Sequence, residues 1–216
     1  LRQELSLMFE KQITSVHLDV LREIGNIGAA HAATALSMLL NKKIDMNVPK
    51  VEMVTFDEMM ELAGGAESVV AGIYLRIAGD VNGSMFFVLP VEQANQFIRR
   101  LVLDDQIDFE KAQVTEIGAS APQELGNILS GSYLSALSDF TKLNIYPSVP
   151  ALCVDMVGAI ISFGLVELSQ ISDYVIVIDT AINEEEMENG KSVHGHFFLL
   201  PDPESFQTIF QALGVE

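Results

Sequence analysis

Basic side chains are scarce in this chain: 12 lysines and arginines stand against 30 aspartates and glutamates, a formal net charge of −18. Phosphate backbones and acidic lipids are held by cationic footprints, so nucleic acid and membrane surfaces are poor partners. Cysteine is nearly absent. Cys153 stands alone and cannot close an internal disulfide, which points weakly to a reducing compartment. It sits in the apolar run Val149–Val154 with no basic neighbour, so a buried structural thiol is expected rather than a nucleophile. Long apolar runs are also missing. The stretch Val157–Val166 falls well short of the ~20 residues that a membrane helix needs. Leu1–Ser6 holds no apolar core of signal-peptide type. A cytoplasmic protein is the expectation. The sequence has no G-x-x-x-x-G-K-[ST] loop, no G-x-G-x-x-G after a strand, no G-x-S-x-G elbow and no C-x-x-C pair. Apolar residues still make up 49% of the 216, enough to bury a substantial core.

What the chain does have is a repeated pattern. Asp19-Val-Leu-Arg-Glu23-Ile-Gly-Asn26 recurs 101 residues later as Ser120-Ala-Pro-Gln-Glu124-Leu-Gly-Asn127. Pro49 lies 23 positions after Asn26, and Pro150 lies 23 after Asn127. On an α-helix, Asp19, Glu23 and Asn26 share a sector of roughly 60°. Leu21, Ile24 and Gly28 point the other way. Asparagine is a weak helix former because its amide competes for backbone groups. A weak former on an exposed face beside two glycines is a local inconsistency of the kind found at functional sites. One copy would pass as ordinary surface; two copies in register argue for a site.

The chain reads in two halves with one order. A long helix spans 13–41, a proline-containing edge strand 44–56 and a short helix 57–63. Hairpin strands follow at 68–78 and 83–89, then a closing helix at 91–103. His31, among small residues, is expected to be partly buried and satisfied. Residues 104–111 form an acidic connector. The second half repeats the order with a helix over 112–143, a strand over 144–156, a short apolar helix or turn over 157–168, strands at 173–183 and 192–200, and a helix at 203–213. Pro122 leaves two readings of the long helix: Ser120 caps a fresh helix, or a longer helix kinks there. Gly83–Pro90 is echoed by His194–Pro201. The expected fold is α+β, an internal duplication with pseudo-twofold symmetry. Two long helices pack on the outside against antiparallel strands, about three per half, forming two three-stranded units joined about that axis. Residues 1–12 are expected as an N-terminal extension. Residues 13–216 form a single domain of two repeats, 13–103 and 112–213.

His194 and His196 lie two apart and would share one face of a strand, but no third ligand is near in sequence, so no metal site is expected. What remains is a Glu and an Asn, three apart, presented twice. A carboxylate pairs with a cation or accepts a proton. A carboxamide has one acceptor oxygen and two donor hydrogens, and can hold a water without being consumed. So small a set suffices when the substrate is labile and brings most of the machinery. An acyl phosphate on a protein, with its own bound Mg²⁺, fits that description.

The full pattern is Asp or Ser, three residues, Glu, two residues, Asn, then 22 residues and Pro. It resembles the signature of the CheC/CheX/FliY family of chemotaxis phosphatases, and matches at Asp19, Glu23, Asn26 and Pro49, and again at Ser120, Glu124, Asn127 and Pro150. The resemblance covers roughly residues 13–214. It implies hydrolysis of the aspartyl phosphate of the response regulator CheY. Asn26 and Asn127 would orient the attacking water, and Glu23 and Glu124 would anchor the partner. Asp19, Ser120, Pro49 and Pro150 would support them. The resemblance also implies a second partner, the receptor deamidase CheD, with Asp155 as the first place to test. Mg²⁺ would be carried by CheY, with no cofactor of the chain's own. A monomer is expected, with no nucleic acid and no membrane insertion. The alternatives are a FliY-type motor-switch phosphatase and a non-catalytic FliM-like adaptor that binds CheY or CheD.

Overall fold

The computed structural model describes residues 13–109, 111, 116–168, 174–184 and 193–214. The first long helix, α1, runs Ser15–Leu40. It starts where the Thr14 N–H donates to His17 Nδ1 at 2.9 Å, with the Thr14 hydroxyl 2.8 Å from the same nitrogen. It stops at Asn41, whose φ of 50° lies in the left-handed region. Strands β1 (Ile44–Asn47) and β2 (Val51–Thr55), helix α2 (Phe56–Leu62), strands β3 (Val69–Gly79) and β4 (Gly83–Pro90) and helix α3 (Val91–Val102) complete the first half. The second half has α4 (Glu116–Thr141), β5 (Ile145–Pro147), β6 (Ala151–Met156), α5 (Val157–Leu168), β7 (Tyr174–Glu184), β8 (Val193–Pro201) and α6 (Pro203–Ala212).

The eight strands of the described residues join one antiparallel sheet in the order β1-β7-β8-β4-β3-β5, with β2 also beside β7 and β6 also beside β3. The halves therefore exchange their edges: β1 and β2 pair with the second half, and β5 and β6 with the first. The expected three-stranded units, one per half, are joined as a single shared sheet. Alternation along a strand says which side chains face the core, but not which strand lies alongside.

Each proline-containing strand is interrupted. Asn47 opposes Ala181 and Val51 opposes Ile178, so residues 48–50 bulge across from residues 179 and 180. Likewise Pro147 opposes Ile77 and Ala151 opposes Tyr74, so residues 148–150 bulge across from residues 75 and 76. Proline lacks an N–H for the ladder, and the strand breaks at that point. Each half thus carries three strands, one of them split in two.

The pseudo-twofold axis is located by contacts. On β3 and β4, Ile73 opposes Phe87; on β7 and β8, Ile178 opposes Phe197. Phe87 and Phe197 then oppose each other at the centre of the sheet, with ring centroids 4.4 Å apart. The sequence echo that aligned Phe86 with Phe197 is one residue out. Phe86 packs in the core on one face of the sheet and Phe197 in the core on the other. A one-residue slip turns every side chain over.

Helices α1, α3, α4 and α6 cover one face, and α2 and α5 the other. The two long helices touch through Gly28, where a Cβ would stand 2.9 Å from Tyr133 Cα. Helix α4 continues through Pro122, so Ser120 lies inside it and caps no fresh helix. His31 is exposed, not partly buried as expected, because it lies on the outward side of α1 with Ala30 and Thr34. Among the described residues, no helix is long and apolar enough to cross a membrane.

Candidate active site

Glu23 and Asn26 stand on α1, and Glu124 and Asn127 on α4. The glycine before each Asn governs how far its helix descends on the sheet. A Cβ at Gly25 would lie 3.3 Å from the Val48 side chain and 3.7 Å from Ile178. A Cβ at Gly126 would lie 2.6 Å from Ile73 and 3.4 Å from Pro150. Each Asn is thereby set beside one of the bulges.

The two sites then differ. In the first, Val48 points inward, 2% exposed, and Pro49 faces solvent. The Asn26 amide nitrogen donates to the Arg22 carbonyl at 3.0 Å and to the Val48 carbonyl at 3.2 Å. Its oxygen accepts the Val48 N–H at 2.9 Å. Both donor hydrogens are used, and one oxygen lone pair is left. In the second, the bulge is turned over: Val149 is 85% exposed and Pro150 is buried. Asn127 is exposed and makes no hydrogen bond among the described residues. Its oxygen and both donors are open to a ligand.

Glu23 and Glu124 are both exposed. Neither carries an ion pair among the described residues, so each is available to a partner's cation. Asp19 makes an exposed ion pair with Arg22 at 3.1 Å, one turn before Glu23. Ser120 is exposed on α4 at the matching position. Asp155 is not part of either site. It lies toward the far end of β6 from Pro150, exposed, its carboxylate accepting the Met156 N–H at 2.7 Å.

Sequence reasoning missed Val48, whose backbone N–H and C=O bond Asn26 while its side chain packs against Gly25. The glycine common to both copies was the available sign that something packs closely there. The His194/His196 pair holds no metal cluster. His196 instead contacts Asp179 at 2.7 Å, and among the described residues no group of three or more His, Cys, Asp or Glu could hold an ion. Cys153 is partly buried, and its thiol donates to the Gly72 carbonyl at 3.2 Å. Burial first, and Asp155 second, push its pKa up, which keeps it protonated and unreactive.

The sequence model of the CheC-like family matches residues 16–53 and 117–154, each window running from just before the acidic residues to just past the bulge. The chain is 50% identical over 202 residues to the CheY-P phosphatase CheC of Bacillus subtilis, covering 94% of this chain and 96% of the relative. The chain belongs to the CheC-like family. It is also 31% identical over 138 residues to the flagellar motor switch phosphatase FliY of Bacillus subtilis, across 62% of this chain and 35% of that one. Among solved structures, Thermotoga maritima FliY superposes with a TM-score of 0.75 at 19% identity, covering 94% of this chain and 98% of that one. FliM from the FliM–SpeE complex of H. pylori superposes at 0.67 and 13% identity, covering 94% and 96%. At these identities the structural likeness shows the fold alone. The CheC-like windows coincide with the two helix-and-bulge units that carry the Glu and Asn residues.

Proposed function

We propose that this CheC-like chain hydrolyses the aspartyl phosphate of the phosphorylated chemotaxis response regulator CheY. The observation that carries this reading is the twofold presentation of an outward Glu beside an Asn seated at a proline bulge. The close relationship to a CheY-P phosphatase supports it. A water oxygen attacks phosphorus, the bond from phosphorus to the aspartyl oxygen breaks, and the partner's carboxylate leaves. Asn127, or Asn26 through its remaining lone pair, accepts a hydrogen of that water and holds it in line. Glu124 and Glu23 pair with a lysine of the partner and fix the docked register. A hydrated carboxylate is a weak base at neutral pH, so anchoring suits these residues better than proton abstraction. Mg²⁺ carried by the partner would neutralise charge on the phosphoryl oxygens.

We assign residues 13–103 and 112–213 as two repeats of one working unit, acting as a monomer in the cytoplasm. CheD is the second partner on this reading, with the exposed Asp155 as the first position to probe.

The test is the decay of aspartyl phosphate on purified CheY, with and without the chain. Asn127→Ala removes the open site and lowers the rate more than Asn26→Ala. The double variant Asn26→Ala, Asn127→Ala lowers it at least ~100-fold while still binding CheY, because positioning effects are worth orders of magnitude in rate. If the double variant retains close to the full rate, the carboxamides do not position water and the adaptor reading gains.

A further inference from the structure

The two bulges occupy equivalent places beside the two sites, yet they meet solvent differently. Beside Asn26, Met46 and Val48 are both buried, 5% and 2% exposed. Beside Asn127, the counterparts Pro147 and Val149 are both exposed, Val149 at 85%. The fold has a place for an inward valine at this position, because Val48 fills one against Gly25. In the second half Pro150 takes that place against Gly126 and turns Val149 outward. The chemistry of the two flanks differs as well. Residues 42–52 carry Lys42, Lys43, Asp45, Lys50 and Glu52, whereas residues 144–156 carry a single charge, Asp155. A lone exposed valine is unremarkable on a protein surface. This one sits on a bulge packed against the residue before Asn127, on an uncharged flank, where its repeat counterpart is buried.

We propose that Pro147–Val149 is an apolar docking lip for the phosphorylated response regulator at the second site, with Val149 as its specificity-determining contact. The proposal rests on the phosphatase reading above. Any protein that delivers a phosphoryl group to Asn127 must come down over this edge of α4, and the lip lies along that approach. The contact belongs to binding and not to chemistry. It holds the partner equally before and during phosphoryl transfer, so it acts on KM and leaves kcat alone. The first site has no such lip and meets its partner through charge.

The test uses the full chain carrying Asn26→Ala, so that only the second site acts, with phosphorylated CheY as substrate. In that background Val149→Asp raises KM ~10-fold with kcat unchanged, as loss of one buried aliphatic contact predicts. Val149→Leu restores KM, and thermal melting is the same for all three chains. The second-site rate is also less sensitive to added salt than the first-site rate measured in Asn127→Ala. An unchanged KM in Val149→Asp, or a fall in kcat at constant KM, would overturn the proposal. If Asn26→Ala itself accelerates nothing although Asn127→Ala does, the second site is idle and the lip has no function. If neither single variant accelerates decay, the phosphatase reading fails first.

Discussion

Asn26 and Asn127 hold the same place in the repeat, each three residues after a Glu and directly after a Gly, yet their surroundings differ. Asn26 satisfies the Val48 N–H and C=O, so it has a structural duty besides any chemical one. Its replacement by alanine leaves those groups to solvent in a half-buried place. Asn26→Ala is expected to lower stability by about 1 kcal/mol. Asn127→Ala leaves no partner stranded and should stay within about 0.5 kcal/mol of the parent. Urea unfolding of the two variants checks this, and equal losses would mean the bond to Val48 carries no net stability. The Glu/Asn spacing was legible because a helix turns by a fixed angle per residue. The tie to Val48 was not, because any residue supplies a backbone N–H and C=O. Exposed Pro49 and buried Pro150 were likewise indistinguishable in sequence, since proline interrupts a strand whichever way it faces.

At the scale of elements, the pairing of α1 with α4 decides two outcomes. In an isolated helix, glycine is about 1 kcal/mol worse than alanine. Gly28→Ala should nonetheless lower the melting temperature here, because the new Cβ meets Tyr133 Cα at 2.9 Å and backbone cannot step aside. Overpacking of this kind costs about 1–3 kcal/mol, more than the gain in propensity. Tyr133 lies in the same interface, 4% exposed, its hydroxyl 3.0 Å from that of Thr180. Burial pushes its pKa up to about 12, against a smaller downward pull from the Thr180 hydroxyl. A raised phenol pKa means the folded state holds the proton where the unfolded chain has lost it. Its contribution is intact below the unfolded pKa near 10 and is lost between there and about 12, at about 1.4 kcal/mol per pH unit. Stability measured across that alkaline window should fall less steeply in Tyr133→Phe. The elements themselves were largely visible in the sequence, the long helix expected over 13–41 among them. Pro122 was the ambiguous one, because a cap and a continuing helix use the same few residues.

For the whole molecule, the exchange of edges makes the halves interdependent. β1 and β2 find their partner in β7, and β5 and β6 find theirs in β3. A fragment of residues 13–109 should therefore fail to fold cooperatively by circular dichroism, and adding a fragment of residues 111–214 should restore the sheet. A first-half fragment that melts cooperatively by itself would show that the edge strand has another resting place. Phe87 and Phe197 on the axis bring the halves into contact at the centre of the sheet.

The sequence by itself determined the duplication, the mixture of helices and antiparallel strands, and the Glu and Asn on each long helix. All of these follow from local periodicity and from residues whose conformational preferences travel with them. Only the tertiary structure decided that the halves share one sheet, that Phe87 and not Phe86 answers Phe197, and that one bulge turns its valine inward and the other outward. Those choices depend on which strand edge is free, and on whether a valine or a proline fills the space left by a glycine. Both are settled by packing between residues far apart in the chain.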